Sequence, residues 1–104
     1  MTNSRMKGKR TELELVKALR PFFPAACRNL EQCRESSGRD IDNTPGLCFQ
    51  LKSGKRPNWI RAFAEADGSA GDDVPVGVTR SDRGPFFVHL ALEDFLHLAR
   101  WGER

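Results

Sequence analysis

No apolar run in this chain approaches the roughly 20 consecutive residues that a membrane-spanning helix needs, so no membrane span and no signal peptide are expected. Cysteine is scarce and poorly spaced. Cys27, Cys33 and Cys48 are odd in number and contain no CxxC pair, which argues against both a disulfide framework and a zinc ribbon. His89 and His97 do not complete a zinc set with them. Free thiols in a reducing cytoplasm are therefore expected. The absence of internal repeats and low-complexity segments excludes a solenoid or an array.

What the chain does contain is charge. Its 104 residues are 30% charged and 38% hydrophobic, enough for a single domain, 1–104, with one core. The formal net charge is only +3, but the basic residues cluster. Arg5, Lys7, Lys9 and Arg10 precede the first helical pattern, and residues 1–8 are expected as a flexible basic arm. Lys52, Lys55, Arg56 and Arg61 form a second basic group, while Glu65, Asp67, Asp72, Asp73 and Asp82 lie elsewhere. Such segregation suggests a phosphate-facing surface, nucleic acid first. A basic tail and a solvated loop are the plain alternative.

Periodicity sets the elements. Leu13, Leu15, Val16 and Leu19 recur at three and four spacing, giving a helix over about Lys9 to Arg20 that Pro21 and Pro24 end. Residues 25–34 read as a strand, and "RDID" and "LCFQLK" as two more, joined by "NTPG" as a hairpin loop. Pro57 suits the first position of a helix whose apolar face is Trp59, Ile60, Phe63 and Ala66. "VPVGVT" and "PFFVHLAL" are strands, and Glu93 to Trp101 a last helix with Phe95, Leu96, Leu98 and Ala99 apolar. The order predicts an α/β (α+β) domain with a mixed central sheet flanked by helices.

The polar residues of this framework are the informative ones. Side chains alternate along a strand, so Leu47, Phe49 and Leu51 take the core face and Cys48, Gln50 and Lys52 the other. Folding the hairpin brings Asp40 near Gln50, on the side from which Lys52 projects. On the first helix Glu12 points with Leu15, Val16 and Leu19 into the apolar stripe, where a carboxylate is costly unless paired or bound to a cation. Its favourable placement in the helix dipole is the plain alternative. Glu14 fits a capping box with Thr11. Carboxylates, an amide oxygen and a lysine at one place suit Mg²⁺ or Mn²⁺ and phosphodiester hydrolysis.

At these residues the chain resembles the PD-(D/E)XK nuclease superfamily, and within it the small Holliday junction resolvase-like nucleases of archaea and phages. The stretches that carry the resemblance are "KGKRTELELVKAL", "SGRDI" and "FQLK". It implies a restriction-endonuclease-like αβββαβ core and a Mg²⁺-dependent (or Mn²⁺-dependent) endonuclease acting on duplex or branched DNA. It also implies a homodimer, in the cytoplasm of a bacterium or a phage-infected host. Carried over, Glu12, Asp40 and Gln50 would hold the metal and Lys52 would be the catalytic lysine, with Asp42 the rival to Asp40. Lys7, Lys9, Arg10, Lys55, Arg56 and Arg61 would contact phosphates without reading sequence. Gln50 departs from the family's usual Asp or Glu, and Arg39 stands where a proline is common. The substitution at Gln50 keeps open a second reading, a DNA-binding module with a decayed active site. A structural or interaction domain is the third.

Overall fold

The structure is a computed structural model. It describes residues 4–29 and 39–101, with side chains within 8–29 and 39–100. The elements are α1 (Ser4–Leu19), β1 (Cys27–Arg28), β2 (Ile41–Asp42), β3 (Leu47–Gly54), α2 (Trp59–Ser69), β4 (Val74–Ser81), β5 (Phe86–His89) and α3 (Leu92–Trp101). Their order is the one expected. No described helix is long and apolar enough to cross a membrane.

α1 reaches back to Ser4. Residues 4–8 therefore continue the helix rather than forming an arm. Thr11 sits inside α1, which begins at Ser4, so it is not at the N-cap position that the expected capping box requires. Glu14 pairs instead with Arg80 of β4. Residues 30–38, including Cys33, the second half of the strand expected over 25–34 and the expected "ESSG" turn, lie outside the described residues.

β3, β4 and β5 form a mixed sheet, with β3 parallel to β4 and β4 antiparallel to β5. A parallel pair needs a crossover, and α2 supplies it. β1 and β2 form a separate short antiparallel pair. "NTPG" does connect β2 to β3. Leu47 N donates to Thr44 O at 3.0 Å, with Pro45 and then Gly46 (φ 87°) at the central positions. Only glycine takes that φ cheaply, which is the signature of a type II turn. Yet β2 and β3 do not zip into a regular hairpin. Asp40 N donates to Phe49 O at 3.3 Å, and then the Asp40 carboxylate takes the place of a backbone acceptor.

The core lies between α1 and one sheet face: Leu15, Val16, Ala26, Ile41, Phe49, Val76 and Val78 are buried together. The other face of β3 is covered as well. Cys48 and Gln50 are buried, because α2 packs across β3 and β4. The buried face of α2 is Ala62 and Ala66, not the large residues expected. Trp59 and Ile60 remain more than half exposed. Small residues win because the helix must lie close to Gly77 of β4. Asn58 caps α2, accepting from Arg61 N at 3.0 Å, so Pro57 precedes the cap and Trp59, not Pro57, takes the first helical position.

Burial raises the Cys48 thiol above its usual pKa, and the carboxylates of Asp73 and Asp40 add to this against the opposing charge of Arg39. A thiolate is the reactive form, and Cys48 has no exposed area. In a Cys27→Ser/Cys33→Ser background, Cys48 is expected to resist maleimide at neutral pH in the native state and to label within minutes in urea. Mass spectrometry reads the outcome.

Candidate functional site

Asp40 is the pivot of the site. It is 7% exposed, and its Oδ2 accepts from Leu51 N at 2.7 Å. This charge-assisted bond anchors the carboxylate on the free edge of β3, between the positions of Gln50 and Lys52. Ile41, the next residue, is buried in the α1-side core. Alternation then turns Asp40 toward the α2 side, the face that also carries Gln50 and Lys52. Gln50 is 3% exposed. Asp40 is thus tied to the backbone of β3 between Gln50 and Lys52. Asp42 is only partly buried and lies in β2 opposite Cys27, one step closer to the turn.

Glu12 is placed differently. Its Oε1 accepts from Arg28 Nε at 2.8 Å. Arg28 pairs in register with Ile41, so its side chain runs along the α1 side of the sheet. The costly carboxylate on the helix stripe is compensated by an arginine from β1, a partner that spacing along the sequence does not reveal. Removing one half of a largely buried ion pair leaves the other charge uncompensated. Arg28→Met should cost about 1–2 kcal/mol, below the fully buried case because both side chains keep some solvent contact. A second change, Glu12→Gln in the same chain, should recover part of the loss in urea titrations.

Lys52 is also engaged. Its Nζ lies 3.0 Å from Glu65 Oε1 of α2, and Glu65 Oε2 accepts from Arg61 at 2.9 Å. An acid expected to lie apart from the second basic cluster thus sits inside it. Burial alone would raise the Glu65 carboxyl, but hydrogen bonds from Lys52 and Arg61, helped by their charges, outweigh it and lower its pKa. Glu65 is therefore ionised at neutral pH. Of the residues expected to meet phosphates, Lys9, Arg10, Lys55, Arg56 and Arg61 are exposed. The Lys7 side chain lies outside the described ones.

Further features were invisible to spacing. Arg39 binds Asp73 at 2.8 Å and donates to Ala70 O at the end of α2. The hydrogen bond to Asp73 raises its pKa further, so it is a permanent cation at a helix C-terminus, where the dipole favours one. Thr79 Oγ1 meets His89 Nε2 at 2.8 Å, and Trp59 stacks on His89 with centroids 5.6 Å apart.

The donors at the β3 edge are all oxygens, a carboxylate and an amide, and so fit Mg²⁺ or Mn²⁺ rather than a soft metal. Mg²⁺ keeps several waters and is commonly held by one or two carboxylates. No group of three or more His, Cys, Asp or Glu side chains poised for a metal occurs among the described residues. No protein-family profile, curated protein or solved structure matches the chain.

Proposed function

We propose that this chain is a metal-dependent endonuclease that hydrolyses DNA phosphodiester bonds, built on a restriction-endonuclease-like αβββαβ core. The observation that carries the reading is the anchoring of Asp40 on the edge of β3 beside Gln50 and Lys52. The element order, with a parallel β3–α2–β4 crossover, supports the same core.

Asp40 and Gln50 would hold Mg²⁺ or Mn²⁺, which when bound supplies Lewis-acid polarisation of a phosphodiester oxygen. The chain's own residues then do the following. Asp40, held by Leu51 N–H, keeps its carboxylate fixed without reorganisation. Lys52, moving off Glu65, places its ammonium against charge developing on the phosphate. Lys55, Arg56 and Arg61 follow the backbone on the same side as β3, and Lys9 and Arg10 extend the positive surface along α1.

A branched DNA that needs two symmetric cuts calls for a C2 dimer of a chain with one site. Of the aromatics that could join such copies, Phe86 packs on the core. Trp59 and Phe87 remain exposed, Trp59 lining one groove with Leu92 and Phe95 of α3, and the Trp101 side chain lies outside the described ones.

A DNA-binding module without catalysis is the second reading. It is favoured by the neutral Gln50 and by the ion pairs that hold Glu12 and Lys52. A panel of four-way junction, flap, mismatched and linear duplex DNAs, incubated with Mg²⁺ or Mn²⁺, separates the two. Cleavage of any substrate by the wild type, lost in Asp40→Asn, supports the nuclease. Binding without cleavage on every substrate supports the module.

A further inference from the structure

We infer that α3, with the adjoining surface of β5 and the start of α2, is a self-complementary interface on which a second copy of this chain docks about a twofold axis, the two α3 helices antiparallel. The inference stands on this surface alone: it names the face that pairs and needs no part of the nuclease reading.

The exposed apolar residues are gathered on that surface. Trp59 of α2, Phe87 and Val88 of β5, and Leu92, Phe95 and Leu96 of α3 are each more than half exposed. Together they leave several hundred Å² of apolar surface open, approaching the roughly 800 Å² that each partner gives to a stable interface. A patch of that extent marks an interaction surface. Trp59, Val88, Leu92 and Phe95 line one open groove with His89. Thr79 Oγ1 fixes His89 at 2.8 Å, and Trp59 stacks on its ring. The wall of the groove is therefore already in place before anything docks.

α3 itself lacks a surface to lie on. β5 is an edge strand of the sheet, and α3, which follows it, has no extensive contact with any other element among the described residues. Leu92, Phe95, Leu96 and Ala99 recur at three and four spacing, which puts them on one stripe, and all four are exposed. A helix of 10 residues is too short to hold itself in water, and takes its stability from burying an apolar face. Here that face points outward.

Charge selects the occupant. Glu93 and Asp94 lie in the first turn of α3 and Arg100 in the last. With two α3 helices antiparallel about an axis near Leu96, the first turn of each meets the last turn of the other. The acids then oppose Arg100 at both ends, and the helix dipoles run in opposite directions. A parallel pair would set acid against acid. α3 is thus its own complement, and the apolar stripe of each copy covers the groove of the other.

The test is sedimentation of the full chain over a concentration series, without DNA. The wild type should run at twice the mass of the chain and dissociate on dilution. Leu96→Glu should weaken association by roughly 30-fold or more, the scale of an interface hot spot. Phe22→Glu, at an exposed apolar residue outside the patch, should leave it unchanged. Glu93→Arg and Arg100→Glu should each weaken it, and the double variant should recover part of the loss. Leu96→Cys in the Cys27→Ser/Cys33→Ser background should give a disulfide-linked dimer with diamide, and Phe22→Cys should not. A wild type that stays monomeric at millimolar concentration overturns the inference. So does a dimer that Leu96→Glu leaves intact or that Phe22→Glu breaks. Should Leu96→Glu fail to fold, the Leu96→Cys cross-link decides alone, and its absence refutes the interface. A dimer through this face that cleaves no DNA rejects the nuclease reading while leaving the interface standing.

Discussion

Gly77→Ala is expected to destabilise the protein by about 3 kcal/mol, and Gly77→Val to prevent a stable fold, because added core volume forces the backbone to shift. A Cβ at Gly77 would stand 2.6 Å from Phe63 N and 2.9 Å from Ala62 C. These are backbone atoms of α2, so no rotamer change relieves the clash. The helix must lift from β4 or the strand must bend. Either response loosens the packing of Ala62 and Ala66, which are fully buried, and shifts Glu65 relative to Lys52. Gly8→Ala is the control. Nothing lies within 4 Å of a Cβ there, and Gly8 is inside α1. It should stabilise by roughly 0.5–1 kcal/mol, the helix propensity difference. Urea denaturation of the two variants side by side measures both. Equal stability of Gly77→Ala and the wild type would show that α2 does not sit where it is described.

If the chain is the nuclease proposed above, Asp40→Asn should lower DNA cleavage by roughly 10²–10³-fold, the usual effect of removing one preorganised electrostatic group, while leaving DNA binding nearly intact. Asparagine is chosen over alanine for a physical reason. The Asp40 carboxylate also satisfies Leu51 N–H, and an alanine would leave that donor unpaired at a cost of about 1–3 kcal/mol. The amide oxygen of asparagine keeps an acceptor and removes only the charge. Lys52→Met should show a comparable loss of cleavage, and it also frees Glu65 from one partner. Gln50→Glu should move cleavage the opposite way, most visibly at limiting Mg²⁺. Cleavage rates across a metal titration, with filter binding of the same DNA as the control, separate catalysis from affinity. Undiminished cleavage in both Asp40→Asn and Lys52→Met would remove the β3 edge from the mechanism.

Much of the framework was legible in the sequence. The helical spacing of Leu15, Val16 and Leu19, and the period-two run from Leu47 to Lys52, each correspond to an observed element. Pro45 and Gly46 marked their turn. The position of Asp40 beside β3 was legible for the same reason, since the short connection from β2 brings it to Phe49 and Leu51. Legibility failed where a helix choice depended on its neighbour. Trp59 and Ile60 looked like a buried face, but the sheet surface offered Gly77, and only alanines approach closely enough to use it. It failed again for Glu14, whose capping-box spacing was met while the helix had already begun at Ser4.

The sequence by itself determined which residues of a strand or helix share a face, because those periods are properties of the local backbone, but not which face of α2 is buried. It also determined the order of the elements. Only the tertiary structure decided how the charges pair. Arg28 claims Glu12, Arg80 claims Glu14, and Glu65 claims Lys52, each across elements distant in the chain. Those pairings follow from which elements share a side of the sheet, and that is set by burial of the apolar faces, to which spacing along one element is blind.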